Sequence, residues 1–265
     1  MTAWQNCARD AWTAVGIASG HRTLAVETPV AIVIDAVTAA VMLATPDDLE
    51  DFAIGFALTE RLIATTGDVA ACEIVEQPNG IEVRLWLNAG SRAAVTSRRR
   101  LTAPSGCGLC GVESLAQAVV APPSVTADGP YPSPAELLAA MAGLRDVQPL
   151  GTRTRATHAA ALWRRGAPLL GREDVGRHNA LDKLVGGAAR VAVDARAGVV
   201  LLTSRISVEM VQKTAMLGAP ILVAVSAPTT LAVATAAAAE LTLVAIARHD
   251  GFEVFTRPDR IAAMR

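Results

Sequence analysis

The chain has 265 residues, 52% of them apolar, enough to bury a core of one or two domains. Its formal charge of −1 provides no basic field for nucleic acid, and four cysteines (Cys7, Cys72, Cys107, Cys110) are too few for a disulfide-stapled secreted scaffold. Met1 to Gly16 lacks the basic-then-apolar order of a secretory leader, so a cytoplasmic protein that engages neither nucleic acid nor membrane is expected.

Residues 22–43 read as short strands, Thr23 to Glu27 and Val30 to Ile34. Thr45-Pro46-Asp47-Asp48 has the form of a helix start: a hydroxyl to cap, proline in the first turn, then acids at the positive end of the dipole. That helix is expected to reach about Ile63, with Asp47, Asp48, Glu50 and Asp51 forming a solvated face. Cys72 to Val75 and Ile81 to Leu87 read as strands joined through Pro78-Asn79-Gly80. Ala121 to Pro134 is rich in turn formers and marks the expected boundary between a domain of residues 1–125 and one of residues 126–265.

The second half alternates between β-branched apolar runs and helical segments. Strands are expected at His158 to Trp163, Val199 to Thr203, Ile221 to Val225 and Leu243 to Ala247. Helices are expected from about Val175, over Ser207 to Leu217, and over Thr229 to Ala239. Pro220, Pro228 and Glu240 break the apolar stretch 218–247 into strand–helix–strand, which excludes a membrane span. The expected class is therefore α+β: a small N-terminal α+β domain and a C-terminal three-layer α/β/α domain.

Cys107 and Cys110 stand in Ser105-Gly106-Cys107-Gly108-Leu109-Cys110-Gly111, with Arg98-Arg99-Arg100 upstream. Glycine gives this loop freedom, and neighbouring guanidinium groups favour thiolate, the reactive form of sulfur. A structural zinc site would need a second pair of ligands, and Cys7 and Cys72 lack that spacing. A zinc deaminase would need a His-x-Glu element upstream, which is absent. A dithiol oxidoreductase would use both thiols, and a sulfur carrier holding a persulfide needs one.

Two further clusters stand at strand-to-helix junctions. Arg177-His178-Asn179, with Lys183 one turn on, follows Glu173-Asp174, which read as dipole-satisfying acids. Arg205-Ile206-Ser207 precedes Lys213 in the same way, and these two lysines are the only ones among 24 basic residues. Helix starts present unpaired N–H groups to anions, and the basic side chains add donors. Junctions after parallel strands share the carboxyl edge of a sheet, where open α/β sheets bind ligands. The last strand ends in Ile246-Ala247-Arg248-His249-Asp250-Gly251 at that edge. Asp250 supplies acceptors there, and Arg248 a donor for phosphate or a face to stack on a ring. An ordinary Asp-Gly turn is the competing reading. His158, taken alone, reads as a core histidine.

These motifs, with Ala44 to Phe56, Arg172 to Lys183, Ser204 to Ser207 and Ser226 to Ala232, occur in one order from about Glu27 to Thr256 and resemble the FdhD/NarQ family of formate dehydrogenase accessory sulfur carriers. The resemblance implies a C-terminal domain like cytidine deaminase without its zinc ligands. It implies sulfur received from a cysteine desulfurase, carried as a persulfide at Cys107 with help from Cys110. The sulfur would pass to bis-molybdopterin guanine dinucleotide before that cofactor enters formate dehydrogenase, with Ile246 to Gly251 bordering the guanine-dinucleotide site and His158 near it. No structural metal is expected, and a homodimer is the expected assembly. The chain departs from the family pattern at Arg155-Ala156-Thr157, at Ser204 and at Ala44.

Overall fold

The computed structural model describes residues 2–91, 121–129 and 131–262. Three sheets organise them. Strands β1 (Trp4–Thr13) and β2 (Gly16–Ala25) form a hairpin that is a sheet of its own, with Trp4 under the Arg153 guanidinium. Strands β3 (Thr28–Ile34), β4 (Val37–Ala44), β5 (Val69–Gln77) and β6 (Gly80–Leu87) form a sheet in the order β4-β3-β6-β5, in which only β3 and β6 are parallel.

Alternation explains that second sheet. Val30, Ile32 and Ile34 on β3, with Ile81, Val83, Leu85 and Leu87 on β6, point to one buried face. Helix α1 (Leu49–Thr59) covers it with Phe52, Ala53, Phe56 and Ala57. It starts later and ends earlier than the sequence predicts. Asp48 occupies the cap position in left-handed backbone (φ 50°) without a side-chain cap bond, and Thr45 is not a cap at all. The hydroxyl of Thr45 accepts from the Val175 amide (3.1 Å), 130 residues away, a partner that no local pattern reveals.

The C-terminal elements are α2 (Pro134–Gly143), α3 (Pro149–Thr154), β7 (His158–Arg164), β8 (Leu170–Asp174), α4 (Arg177–Arg190), β9 (Gly198–Leu202), α5 (Val208–Leu217), β10 (Ile221–Ala224), α6 (Thr230–Ala238), β11 (Thr242–Arg248) and β12 (Gly251–Thr256). Their sheet runs β12-β11-β10-β9-β7-β8. Strands β9, β10 and β11 are parallel, while β7 opposes both β8 and β9, so β8 points the same way as β9. Leu162, Val200, Leu202, Leu222 and Leu243 pack under α4, α5 and α6. On the opposite face, Val199, Leu201, Ile221 and Val223 meet Leu137 and Ala140 of α2. The expected α/β/α layering is therefore present. Apolar residues on both faces give the continuous β-branched runs seen in the sequence. Val125 already belongs to this core, and α2 starts within the turn-rich stretch, on a Ser133/Glu136 capping box.

The two halves meet where α1 crosses α4. A Cβ at Gly55 would overlap the Asp182 carbonyl oxygen, and one at Gly186 would overlap the Asp51 carbonyl oxygen. Both positions require glycine for backbone-to-backbone approach. Asp51, expected on a solvated face, is instead buried there, paired with Arg172 (2.6 Å) and with Arg190 (2.5 Å). Gly186→Ala is expected to lower stability by roughly 3 kcal/mol or more through overpacking. Gly90→Ala, at a site with nothing within 4 Å among the described residues, is expected to be near neutral. Urea melts of the two variants check this, and equal midpoints would show that the helix crossing has slack.

Candidate functional site

The directions of β8, β9, β10 and β11 bring the ends of four strands to one edge, with His158 at the start of the opposed β7 and paired to Asp174. The edge is held by backbone hydrogen bonds between its loops. Ile206 N–H donates to Ala227 C=O (3.3 Å) and Thr229 N–H to Ile206 C=O (3.0 Å). Ile246 N–H donates to Ser226 C=O (3.3 Å).

At the first junction, Asp174 is fully buried and organises the turn. Its Oδ1 accepts from Gly176 N–H (2.8 Å) and Asn179 Nδ2 (2.9 Å), and its Oδ2 accepts from Thr45 N–H (3.0 Å). Asn179 also donates to Leu43 C=O (2.8 Å). Lys183, 0% exposed, sets its Nζ 2.7 Å from Asp174 and donates to Thr45 C=O. So Glu173 and Asp174 are not surface acids. Glu173 accepts from the Leu150 and Gly151 amides and caps the start of α3. Lys213 is likewise enclosed, 2.8 Å from Asp182 and 2.9 Å from Thr59 Oγ1. Asn179, Lys183 and Lys213 thus face inward. His158 feels the charges of Arg177 and His178, His178 and Ser207 share the Glu209 carboxylate, and Arg205, two residues before Ser207, is exposed.

Three buried side-chain atoms there have no hydrogen-bond partner: Arg177 Nε, His178 Nε2 and Ser207 Oγ. The contrast with neighbouring helix starts is direct. Ser133 and Thr229 accept from amides of their own helices, whereas Ser207, at the same cap position of α5 and 8% exposed, does not. Its hydroxyl faces the Glu209 carboxylate instead of capping the helix. Burial, then the charges of Arg177 and His178, push the His158 imidazole below its ordinary range, leaving it neutral near pH 7. His178, facing Glu209 with Nε2 3.9 Å from its carboxylate, and the Ser207 hydroxyl hold the Glu209 carboxyl down to about 2. Glu209 has no assigned role in the sequence reading, because an acid in a first helical turn looks like ordinary dipole compensation.

The segment 246–251 makes a tight turn at the same edge. Arg248 pairs with Gly251 around His249 and Asp250, which are exposed, after an irregularity in β11. Ile246 adopts φ 52°, left-handed backbone that a β-branched residue rarely accepts. The turn reading of Asp250-Gly251 is thus correct as geometry. Cys107, Cys110 and the arginines upstream lie outside the described residues. Cys72 is half-buried, and burial pushes its thiol up to about 11, so it stays protonated. Among the described residues no cluster of three metal-ligating side chains occurs, and no helix is long and apolar enough to cross a membrane.

The FdhD/NarQ family matches residues 25–262. A sulfur carrier protein FdhD of Agrobacterium fabrum is 48% identical over 92% of this chain and 91% of its own length. One of Bordetella petrii is 46% identical over 93% of this chain and 89% of its own length. A crystal structure of a candidate formate dehydrogenase accessory protein from Desulfotalea psychrophila superposes with a TM-score of 0.75 at 26% identity, covering 98% of this chain and 100% of that one. Fold and sequence agree: the chain belongs to the FdhD/NarQ family.

Lys183→Met leaves Asp174 charged and buried without its counter-ion and is expected to cost about 3–5 kcal/mol, read by urea denaturation. If the variant keeps its stability and instead loses anion binding, Lys183 is a ligand rather than a strut.

Proposed function

We propose that this chain is a sulfur carrier for formate dehydrogenase. The Cys107 thiolate attacks the outer sulfur of a cysteine desulfurase persulfide. A sulfur–sulfur bond forms on Cys107 as the donor cysteine leaves as thiolate. Cys110 assists by exchange, and bis-molybdopterin guanine dinucleotide is the substrate that receives the sulfur before insertion into formate dehydrogenase. What supports this reading is family membership and the cluster of unpartnered polar atoms at two helix starts. A guanine dinucleotide carries phosphates, and phosphate oxygens suit a hydroxyl, an imidazole, a guanidinium and the positive end of a helix dipole. Arg177, His178, Arg205 and Ser207 are the direct ligands in this reading, with His158 beside them. Lys183 and Asn179 act through Asp174 by fixing the turn. Arg248, His249 and Asp250 border the guanine.

Two experiments test the proposal. Incubation with a cysteine desulfurase and cysteine is expected to add one sulfur atom to the protein by mass spectrometry. Cys107→Ala should abolish both that adduct and formate dehydrogenase activation. An adduct that persists in Cys107→Ala rejects the assignment, and strict dependence on an intramolecular Cys107–Cys110 disulfide favours the dithiol oxidoreductase.

In calorimetry, GDP is expected to bind with an affinity that falls about tenfold or more in an Arg205→Ala, His178→Ala double variant. Asp250→Ala should erase the preference for GDP over ADP. Preference retained at full affinity reduces Asp250 to a turn residue.

A further inference from the structure

We propose that Glu209 is a positioning residue of the anion site: its carboxylate holds the His178 imidazole toward the α4 and α5 helix starts. The inference rests on the reading above that this edge takes a diphosphate, and it assigns a role to a residue of the opposite charge.

Glu209 lies in the first turn of α5, two residues after Ser207. An acid there normally extends into water and needs no partner. Here the side chain is only 18% exposed and lies against His178, itself 20% exposed, with Oε2 3.9 Å from Nε2. That separation is too long for a hydrogen bond, and Nε2 is buried with no partner among the described residues. The Glu209 carboxyl is held down first by His178 and also by the Ser207 hydroxyl, so both donors face the carboxylate across contacts that fall short of hydrogen-bond geometry. The remaining charged and titratable groups are Arg177 on α4, Arg205 in the loop before α5, His158 on β7 and Asp174 on β8. Asp174 is already paired with Lys183. Glu209 is thus the acid at the edge whose neighbours are the unpartnered donors themselves.

A bare carboxylate beside a phosphate repels it, so two roles predict opposite signs. If Glu209 only complements the helix dipole, removing its charge strengthens diphosphate binding. If it positions His178, removing it weakens binding by freeing the ring.

The test is isothermal calorimetry with GDP on the full chain carrying Glu209→Ala, Glu209→Gln, His178→Ala and the two double variants. We expect Glu209→Ala to weaken GDP about tenfold. Glu209→Gln, of the same shape but without the charge that draws the ring across 3.9 Å, should weaken GDP in the same direction. In the His178→Ala background neither change should alter affinity further. Because Glu209→Gln is nearly isosteric, it keeps the comparison valid if Glu209→Ala melts early. Tighter binding in either variant, or an equal loss with and without His178, overturns the positioning role. If the parent chain binds GDP and His178→Ala loses nothing, the placement of the diphosphate at this edge has failed instead.

Discussion

The buried pair of Asp174 and Lys183 holds the two halves of the molecule in one geometry. Both side chains are fully removed from water, 2.7 Å apart. Burying two charges is expensive, and such a pair is rarely a net source of stability. What it supplies here is placement. The carboxylate also takes amides from Thr45 after β4 and Gly176 before α4, and the Asn179 side chain, while the ammonium reaches the Thr45 carbonyl. One aspartate thus fixes the end of the N-terminal sheet, the last residue of β8 and the first turn of α4. The adjacent residue, Asp182, meets Lys213 of α5 and Thr59 of α1. Helix α4 therefore carries two pairs directed at different neighbours, and glycines let α1 lie directly against it.

That rigidity reaches the edge where the proposed chemistry is placed. The loops after β9 and β10 and the irregular end of β11 are joined by backbone hydrogen bonds rather than by side chains, so they hold their spacing without occupying it. The polar side chains there are then left with donors unused. Unsatisfied buried donors cost roughly 1–3 kcal/mol each in a folded protein. A fold that satisfies Asp174 four ways yet leaves Ser207 Oγ, His178 Nε2 and Arg177 Nε without a hydrogen bond keeps that cost at the edge, which is what the proposed anion site requires.

Much of the C-terminal domain was legible in the sequence because parallel strands covered on both faces are nearly uninterrupted β-branched runs, as in Val199 to Leu202. The two junctions were legible as dense polar clusters after such runs. What escaped was long-range or unpatterned. Thr45 carries a strong local capping signature, but a partner 130 residues away took its hydroxyl. Asp51 looked solvated because helical periodicity cannot reveal that a second helix presses on the acidic face. The β1–β2 hairpin is exposed on both faces, Trp12 to 82%, so it has no alternation to read. The capping box of α2 lay within a proline-rich stretch and looked like a hinge.

The same physics accounts for the two lysines in an arginine-rich chain. A buried guanidinium needs a fan of acceptors for its five donors. Arg260 has one, reaching the carbonyls of Pro220, Glu240 and Val125. Arg172 and Arg190 keep part of the fork near water while gripping Asp51. The spaces beside Asp174 and Asp182 offer neither solvent nor a fan. Each provides a carboxylate plus one or two neighbouring oxygens, which suits the three donors of a compact ammonium. Scarce lysine in this sequence thus serves sealed ion pairs, and the proposed ligand edge beside them is left to arginine, histidine and serine.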